Sequence, residues 1–74
     1  MVTMDAFKKI MEIKQVKPAV LCDRLGIKGN VLSERFKQRN ISIVKLNEML
    51  RALDYKIVLV PRETKIPDGG FEVE

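Results

Sequence analysis

The sequence predicts a mostly α-helical domain in which four short helices are followed by one C-terminal β-strand. Apolar residues recur at helical spacing in four successive segments up to residue 53. A proline and a glycine separate the first three segments, as expected at helix boundaries. The run 55–60 is instead rich in β-branched and aromatic residues, which favour a strand. We divide this single domain into a folded part, 1–61, and a C-terminal tail, 62–74.

The first predicted helix covers residues 4–14, where Phe7 and Met11 lie four residues apart on one apolar face. The segment 15–17 ends it. Pro18 then suits the first turn of a second helix, because a proline loses no hydrogen bond at that position.

The second predicted helix is short and ends at a glycine. Leu21 and Leu25 lie four residues apart and are expected to face the core. Gly26 supplies the left-handed residue that ends the helix, and Ile27 is expected to fill the corner before the next one. Cys22 is the only cysteine, and we interpret it as a small buried apolar residue rather than a redox sensor.

The third predicted helix has an apolar side and an exposed side. Leu32 and Phe36 are four residues apart and define the buried side. At 100° per residue, the opposite side carries Asn30, Glu34 and Lys37, with Val31 and Ser33 at its margins.

The fourth predicted helix begins at Ser42, a favourable N-cap residue. Ile41 before the cap and Leu46 four residues after it can form a hydrophobic staple. The predicted apolar face consists of Ile43, Leu46, Leu50 and Leu53, broadened by Met49 and Ala52.

The predicted strand has apolar residues on both faces and no second long strand in the chain to pair with. An unpaired apolar strand invites association, and pairing with the same strand of a second copy satisfies it. We therefore predict a homodimer. Its interface comprises Tyr55, Ile57, Val58, Leu59 and Val60, although the fourth helix or an exchanged segment could serve instead. In the tail, Phe71 and Val73 either dock on the body or the partner subunit, or belong to a disordered segment.

The charge pattern points to a polyanionic partner. The net charge is +4, and residues 14–40 alone carry seven basic and two acidic residues, a net of +5. Two short helices joined by a tight turn form a helix-turn-helix, which places its second helix in the major groove of double-stranded DNA. The competing interpretation is that these lysines only keep a small protein soluble and that the exposed helix side is simply solvated.

Particular residue types on the third helix fit DNA recognition. Asn30 can bond adenine, Glu34 can accept from cytosine, and Val31 can pack on a thymine methyl group. Base contacts are therefore assigned to Asn30, Val31, Ser33 and Glu34. Phosphate contacts are assigned to Lys17, Lys28, Gly29, Lys37 and Arg39.

The chain resembles the Cro and phage-repressor type of helix-turn-helix protein, the lambda-repressor-like class. The resemblance depends on Leu21-Cys22-x-x-Leu25-Gly26-Ile27, Leu32-Ser33-x-x-Phe36-Lys37 and Asn40-x-Ser42. More narrowly, the chain is similar to small repressor-like proteins of phages and mobile elements in Gram-positive bacteria. This resemblance implies a dimer that binds a palindromic operator, with base-contacting positions at Gly29, Asn30, Val31 and Glu34. The chain departs from the pattern at Gly29, which has no side chain to read a base, at Arg35, and in its strand where some members have a fifth helix.

Several classes of function are excluded by composition. The chain has no histidine and a single cysteine, so neither a Cys/His zinc site nor an intrachain disulfide is expected. We predict no metal, no cofactor and no enzymatic activity, because no glycine-rich phosphate loop or suitably placed carboxylate pair occurs. No apolar run reaches the roughly 20 residues of a membrane span, and the free cysteine suits the cytoplasm.

Two functions follow from the sequence. The first is a transcriptional regulator, most plausibly a repressor, that acts as a homodimer on a palindromic operator. The alternative is a DNA-binding antitoxin or protein-interaction module whose strand or tail holds a partner protein.

Overall fold

A computed structural model of the chain describes residues 1–73 and contains a small, mostly helical domain. Its helices are α1 (Thr3–Lys14), α2 (Pro18–Leu25), α3 (Gly29–Lys37) and α4 (Ile43–Arg51). The four predicted helices are therefore confirmed, each within one or two residues of its expected start. Pro18 occupies the first turn of α2 as expected.

Two of the helices, α1 and α2, end at one left-handed residue with a hydrogen bond spanning six residues, and the turn that follows α4 closes in the same way. The left-handed residues are Gln15, Gly26 and Asp54, with φ of 54°, 66° and 61°. The closing bonds run from the Val16 N–H to the Met11 oxygen (2.9 Å), from Ile27 to Cys22 (3.1 Å) and from Tyr55 to Leu50 (2.9 Å). Only α2 has the glycine that this conformation favours, so Gln15 at the end of α1 and Asp54 in the turn after α4 carry backbone strain.

All four helices contribute to one core. Its most buried side chains are Phe7, Leu21, Leu32, Met49 and Leu53. Met4, Ile10, Met11 and Leu50 complete the buried cluster. Each helix would expose buried apolar surface if it detached from the others. The short helices are therefore stable only when packed together as one cooperative unit.

The start of α4 confirms the predicted cap and corrects the predicted apolar face. The Ser42 hydroxyl accepts a hydrogen bond from the Lys45 N–H at 3.2 Å. Ile41 and Leu46 are both half-buried against the core, as the staple requires. Ile43, however, is 71% exposed, so its assignment to the buried face was wrong. Ile43 lies close to the apolar face of α4, but it is in the first turn of the helix, beyond the edge of the core.

The segment predicted as a strand, 55–60, forms no β-ladder within residues 1–73. Backbone hydrogen bonds from residues 56–60 to any other part of the described chain are absent. The physical reason is that a strand needs a second strand, and this subunit offers none. Pairing of this segment with another chain stays a prediction.

The tail returns to the body and closes a loop, which we call the 55–69 loop. A turn in which the Thr64 N–H bonds the Pro61 oxygen at 3.0 Å reverses the chain. The Tyr55 hydroxyl then donates to the Gly69 carbonyl at 2.8 Å and closes the neck of the loop. Phe71 is half-buried against the core, whereas Val73 is exposed. For Phe71, the structure therefore agrees with the interpretation in which the tail docks on the body.

Candidate nucleic-acid interface

The α2–α3 unit is held as the sequence suggested. Gly26 ends α2 in the left-handed conformation, and only residues 26–28 separate it from α3. Leu21 and Leu32 anchor the two helices in the core, and Ile27 is half-buried at the corner between them. Cys22 is half-buried and has a free thiol, so it is less enclosed than predicted.

One face of α3 is turned to solvent along its whole length. Leu32 is buried and Phe36 half-buried on the inner side. The residues predicted to contact bases, Asn30, Val31, Ser33 and Glu34, are all exposed, together with Lys37. Val31 is 38% exposed, as expected for a margin position. The structure therefore brings the predicted recognition residues together on one accessible surface.

Two of these residues interact with each other. The Lys37 Nζ lies 3.7 Å from a Glu34 carboxylate oxygen, and the two side chains remain 75% and 72% exposed. Ion pairs this exposed contribute at most about 1 kcal/mol. Lys37 can therefore leave Glu34 for a phosphate at little cost, which leaves the Glu34 carboxylate free to accept from a base.

The N-terminus of α3 is uncovered. Lys28 is its N-cap residue, has extended backbone and makes no side-chain capping bond. The backbone N–H groups of Gly29 and Asn30 donate to no backbone carbonyl of the described residues. A Cβ at Gly29 would meet nothing within 4 Å, and Gly29 is not left-handed. The fold itself does not require glycine there, and the first-turn N–H groups are open to an anion.

The remaining predicted phosphate contacts lie around this surface. Lys17 is the N-cap residue of α2 and is exposed, as is Arg39 just beyond the end of α3. Lys14 and Arg24 belong to the same basic stretch but contact the residues that follow α4. The Lys14 ammonium lies 5.6 Å from the centre of the Tyr55 ring. The Arg24 guanidinium donates to the Ala52 carbonyl at 2.9 Å, where it ties α2 to the end of α4.

Sequence reasoning missed one basic residue near this surface. Lys8 belongs to an N-terminal stretch of zero net charge, yet its ammonium lies 5.4 Å from the centre of the Phe36 ring. Phe36 is 28 residues away in the chain, and no periodicity in either helix indicates that they meet. The only feature of the sequence that could have indicated this contact is Phe36, an aromatic residue at the edge of the predicted buried side of α3.

Comparison with protein-family models, with curated proteins and with solved structures found no match to this chain. Among residues 1–73, no cluster of three or more potential ligands could hold a metal ion. In the same residues, no helix is both long and apolar enough to cross a membrane.

Proposed function

We propose that the protein is a sequence-specific DNA-binding transcriptional regulator, a repressor that acts as a homodimer on a palindromic operator. The observation that carries this proposal is the exposed polar face of α3, which carries Asn30 and Glu34 on the side of the helix opposite the buried Leu32. A short helix held at a tight turn from a second short helix is the geometry that enters a major groove. The resemblance to Cro and phage repressors supports the same function.

In the proposed complex, the N-terminal half of α3 reads the bases. The Asn30 amide bonds the edge of an adenine, and Glu34 accepts from the amino group of a cytosine. Val31 and Ser33 flank these two residues, where a methyl group and a hydroxyl can each contact a base edge. Gly29 contributes no side chain, so the backbone of α3 can approach the DNA closely at that point.

Phosphate contacts fix the orientation of α3 in the groove. Lys17 and Lys28 each lie at the start of a helix, where the ammonium group and the helix dipole attract the same anion. Lys37 and Arg39 lie at the opposite end of α3. If each subunit neutralises about three phosphates, the affinity of the dimer should fall with a log–log salt slope of about −5, from roughly 0.9 per phosphate.

The dimer is proposed to form through residues 55–60. Val58 and Leu59 are 61% and 97% exposed, and the backbone groups beside them have no partner within the described chain. Antiparallel pairing of two copies satisfies both the apolar surface and the backbone, and a two-fold axis makes the contact self-complementary. Recognition helices about 34 Å apart then enter successive major grooves.

Selection of bound sequences from random duplex DNA tests this function. At about 150 mM salt, where screening weakens non-specific attraction, a palindrome with half-sites about ten base pairs apart is expected. Asn30→Ala should relax or abolish that sequence preference. Asn47→Ala is the matched control, because Asn47 is an exposed asparagine on α4. Recovery of the same motif with Asn30→Ala would remove α3 from base recognition.

The exposed apolar residues of the 55–69 loop also favour a second candidate, a DNA-binding antitoxin or interaction module. In that case the loop adds a strand to a partner protein rather than to a second copy. The contact of Phe71 with the core argues against a tail that orders only on binding. A monomer that binds random DNA weakly, with no recovered motif, would favour this candidate over the repressor.

A further inference from the structure

Two surface grooves meet beside the N-terminus of α2. The first lies between α2 and α3 and is lined by Gly29 and Ser33 together with Cys22 and Leu32. The second runs past the end of α1 and is lined by Lys8, Glu12 and Lys17 with apolar side chains between them. Pro18 and Phe36 line both grooves, so the two adjoin, and we call the adjoining pair the trough.

The charges in this trough are arranged for a polyanion. Its α1 end holds two ammonium groups, from Lys8 and Lys17, and one carboxylate, from Glu12. Neither lysine forms an ion pair among the described residues. Gly29, at the uncovered N-terminus of α3, lines the other half of the trough. The trough is therefore positive at both ends and apolar in the middle, which matches alternating phosphates and deoxyribose rings.

Phe36 positions one of these ammonium groups. A lysine on a helix surface normally samples many rotamers, but the Lys8 Nζ lies 5.4 Å from the centre of the Phe36 ring. That ring is itself held against Phe7, at 6.0 Å between centroids with the planes tilted by 51°. The contact with the ring face leaves the N–H donors of Lys8 available for a phosphate.

We propose that the trough carries the phosphodiester backbone of the DNA strand beside the half-site, and that Lys8 is a phosphate-contacting residue positioned by Phe36. The inference depends on the proposed function, because it places α3 in the major groove and follows the strand from there. Lys8 and Lys17 then hold consecutive phosphates. Glu12 faces the same strand and weakens the binding.

The test compares Lys8→Gln with Lys9→Gln on the selected operator over a salt series from about 50 to about 200 mM. Both changes remove one positive charge from adjacent positions of α1, but only Lys8 lines the trough. Losing one phosphate contact in each subunit should make the log–log salt slope shallower by about 1.8. The ratio of wild-type to Lys8→Gln affinity should accordingly fall about tenfold across the series, while Lys9→Gln changes it far less.

Two further variants separate a local contact from a change in fold or total charge. Lys8→Arg keeps the charge and the contact with the ring and should bind like the wild type. Glu12→Gln should raise the affinity without changing the selected motif. Equal slopes for Lys8→Gln and Lys9→Gln would overturn the inference while the operator-binding function stands. Failure of the wild-type protein to select any motif would instead overturn the proposed function, and the inference with it.

Discussion

Replacing Gly29 with alanine should stabilise the free protein and weaken its binding to DNA. Gly29 opens α3, has no left-handed backbone and has open space where a Cβ would lie. Alanine in a helix is more favourable than glycine by about 1 kcal/mol, and somewhat less at a helix end. For a domain of this size, a gain of about 0.5–1 kcal/mol raises the melting temperature by roughly 2–8 °C.

The same methyl group should disturb the complex with DNA. It projects beside the N–H groups that the proposed phosphate approaches, and it lengthens or removes that contact. A hydrogen bond to a charged group contributes about 1.5–3 kcal/mol, so the affinity per subunit should fall at least tenfold, since 1.4 kcal/mol is one decade. A stability gain combined with a binding loss separates a functional glycine from a structural one.

Thermal denaturation and operator titration measure the two effects, and Gly26→Ala is the matched control. A Cβ at Gly26 also meets nothing within 4 Å, but φ there is +66°, so alanine must adopt a strained conformation. That variant should lose about 1–2 kcal/mol of stability. If Gly29→Ala binds the operator as tightly as the wild type, no phosphate lies at the start of α3 and this part of the interface is wrong.

Two further predictions concern association and helix ends. Leu59→Ala should weaken self-association by about 2 kcal/mol per subunit, at about 0.8 kcal/mol per buried methylene. The stability of the isolated subunit should not change, since the Leu59 side chain is 97% exposed. Sedimentation equilibrium measures the dimer dissociation constant, with the exposed Ile43→Ala as the control. An unchanged dissociation constant for Leu59→Ala would exclude this interface. Gln15→Gly should raise the free energy of unfolding by about 1 kcal/mol, because φ of 54° strains a residue with a Cβ. Asp54→Gly should raise the free energy of unfolding by less, since aspartate tolerates the left-handed conformation. A lower melting temperature for Gln15→Gly than for the wild type would show that Gln15 is not strained.

Local features of the fold could be predicted from the sequence. The spacing of Leu21, Leu32 and Leu50 indicated buried positions, because a helix face depends only on residues three and four apart. Gly26 and Ser42 indicated helix ends for the same local reason. The exposed face of α3 followed directly from its buried one.

Features that depend on distant contacts could not be predicted. Ile43 fits the apolar period of α4, but whether the core extends that far depends on how the other helices pack. The left-handed residues Gln15 and Asp54 are not glycines, so no residue type in the sequence marks these turns. The approach of Lys8 to Phe36 requires the packing of α1 against α3, which neither segment encodes alone.

The closed neck of the 55–69 loop couples the tail to the proposed subunit contact. Bringing the ends of this 15-residue segment together costs about 2 kcal/mol of chain entropy, from (3/2)RT ln n. The bond from Tyr55 to Gly69 supplies only about 0.5–1.5 kcal/mol. Burial of Phe71, worth up to about 1.5–3 kcal/mol, must supply the rest. Because the cost and the gain of closing the loop are nearly equal, Gly69 and Phe71 determine how often the apolar segment 55–60 is held in a fixed conformation. Modification of the residues around Phe71 would then tune the proposed dimerisation, and through it the proposed operator binding, without altering any residue proposed to touch DNA.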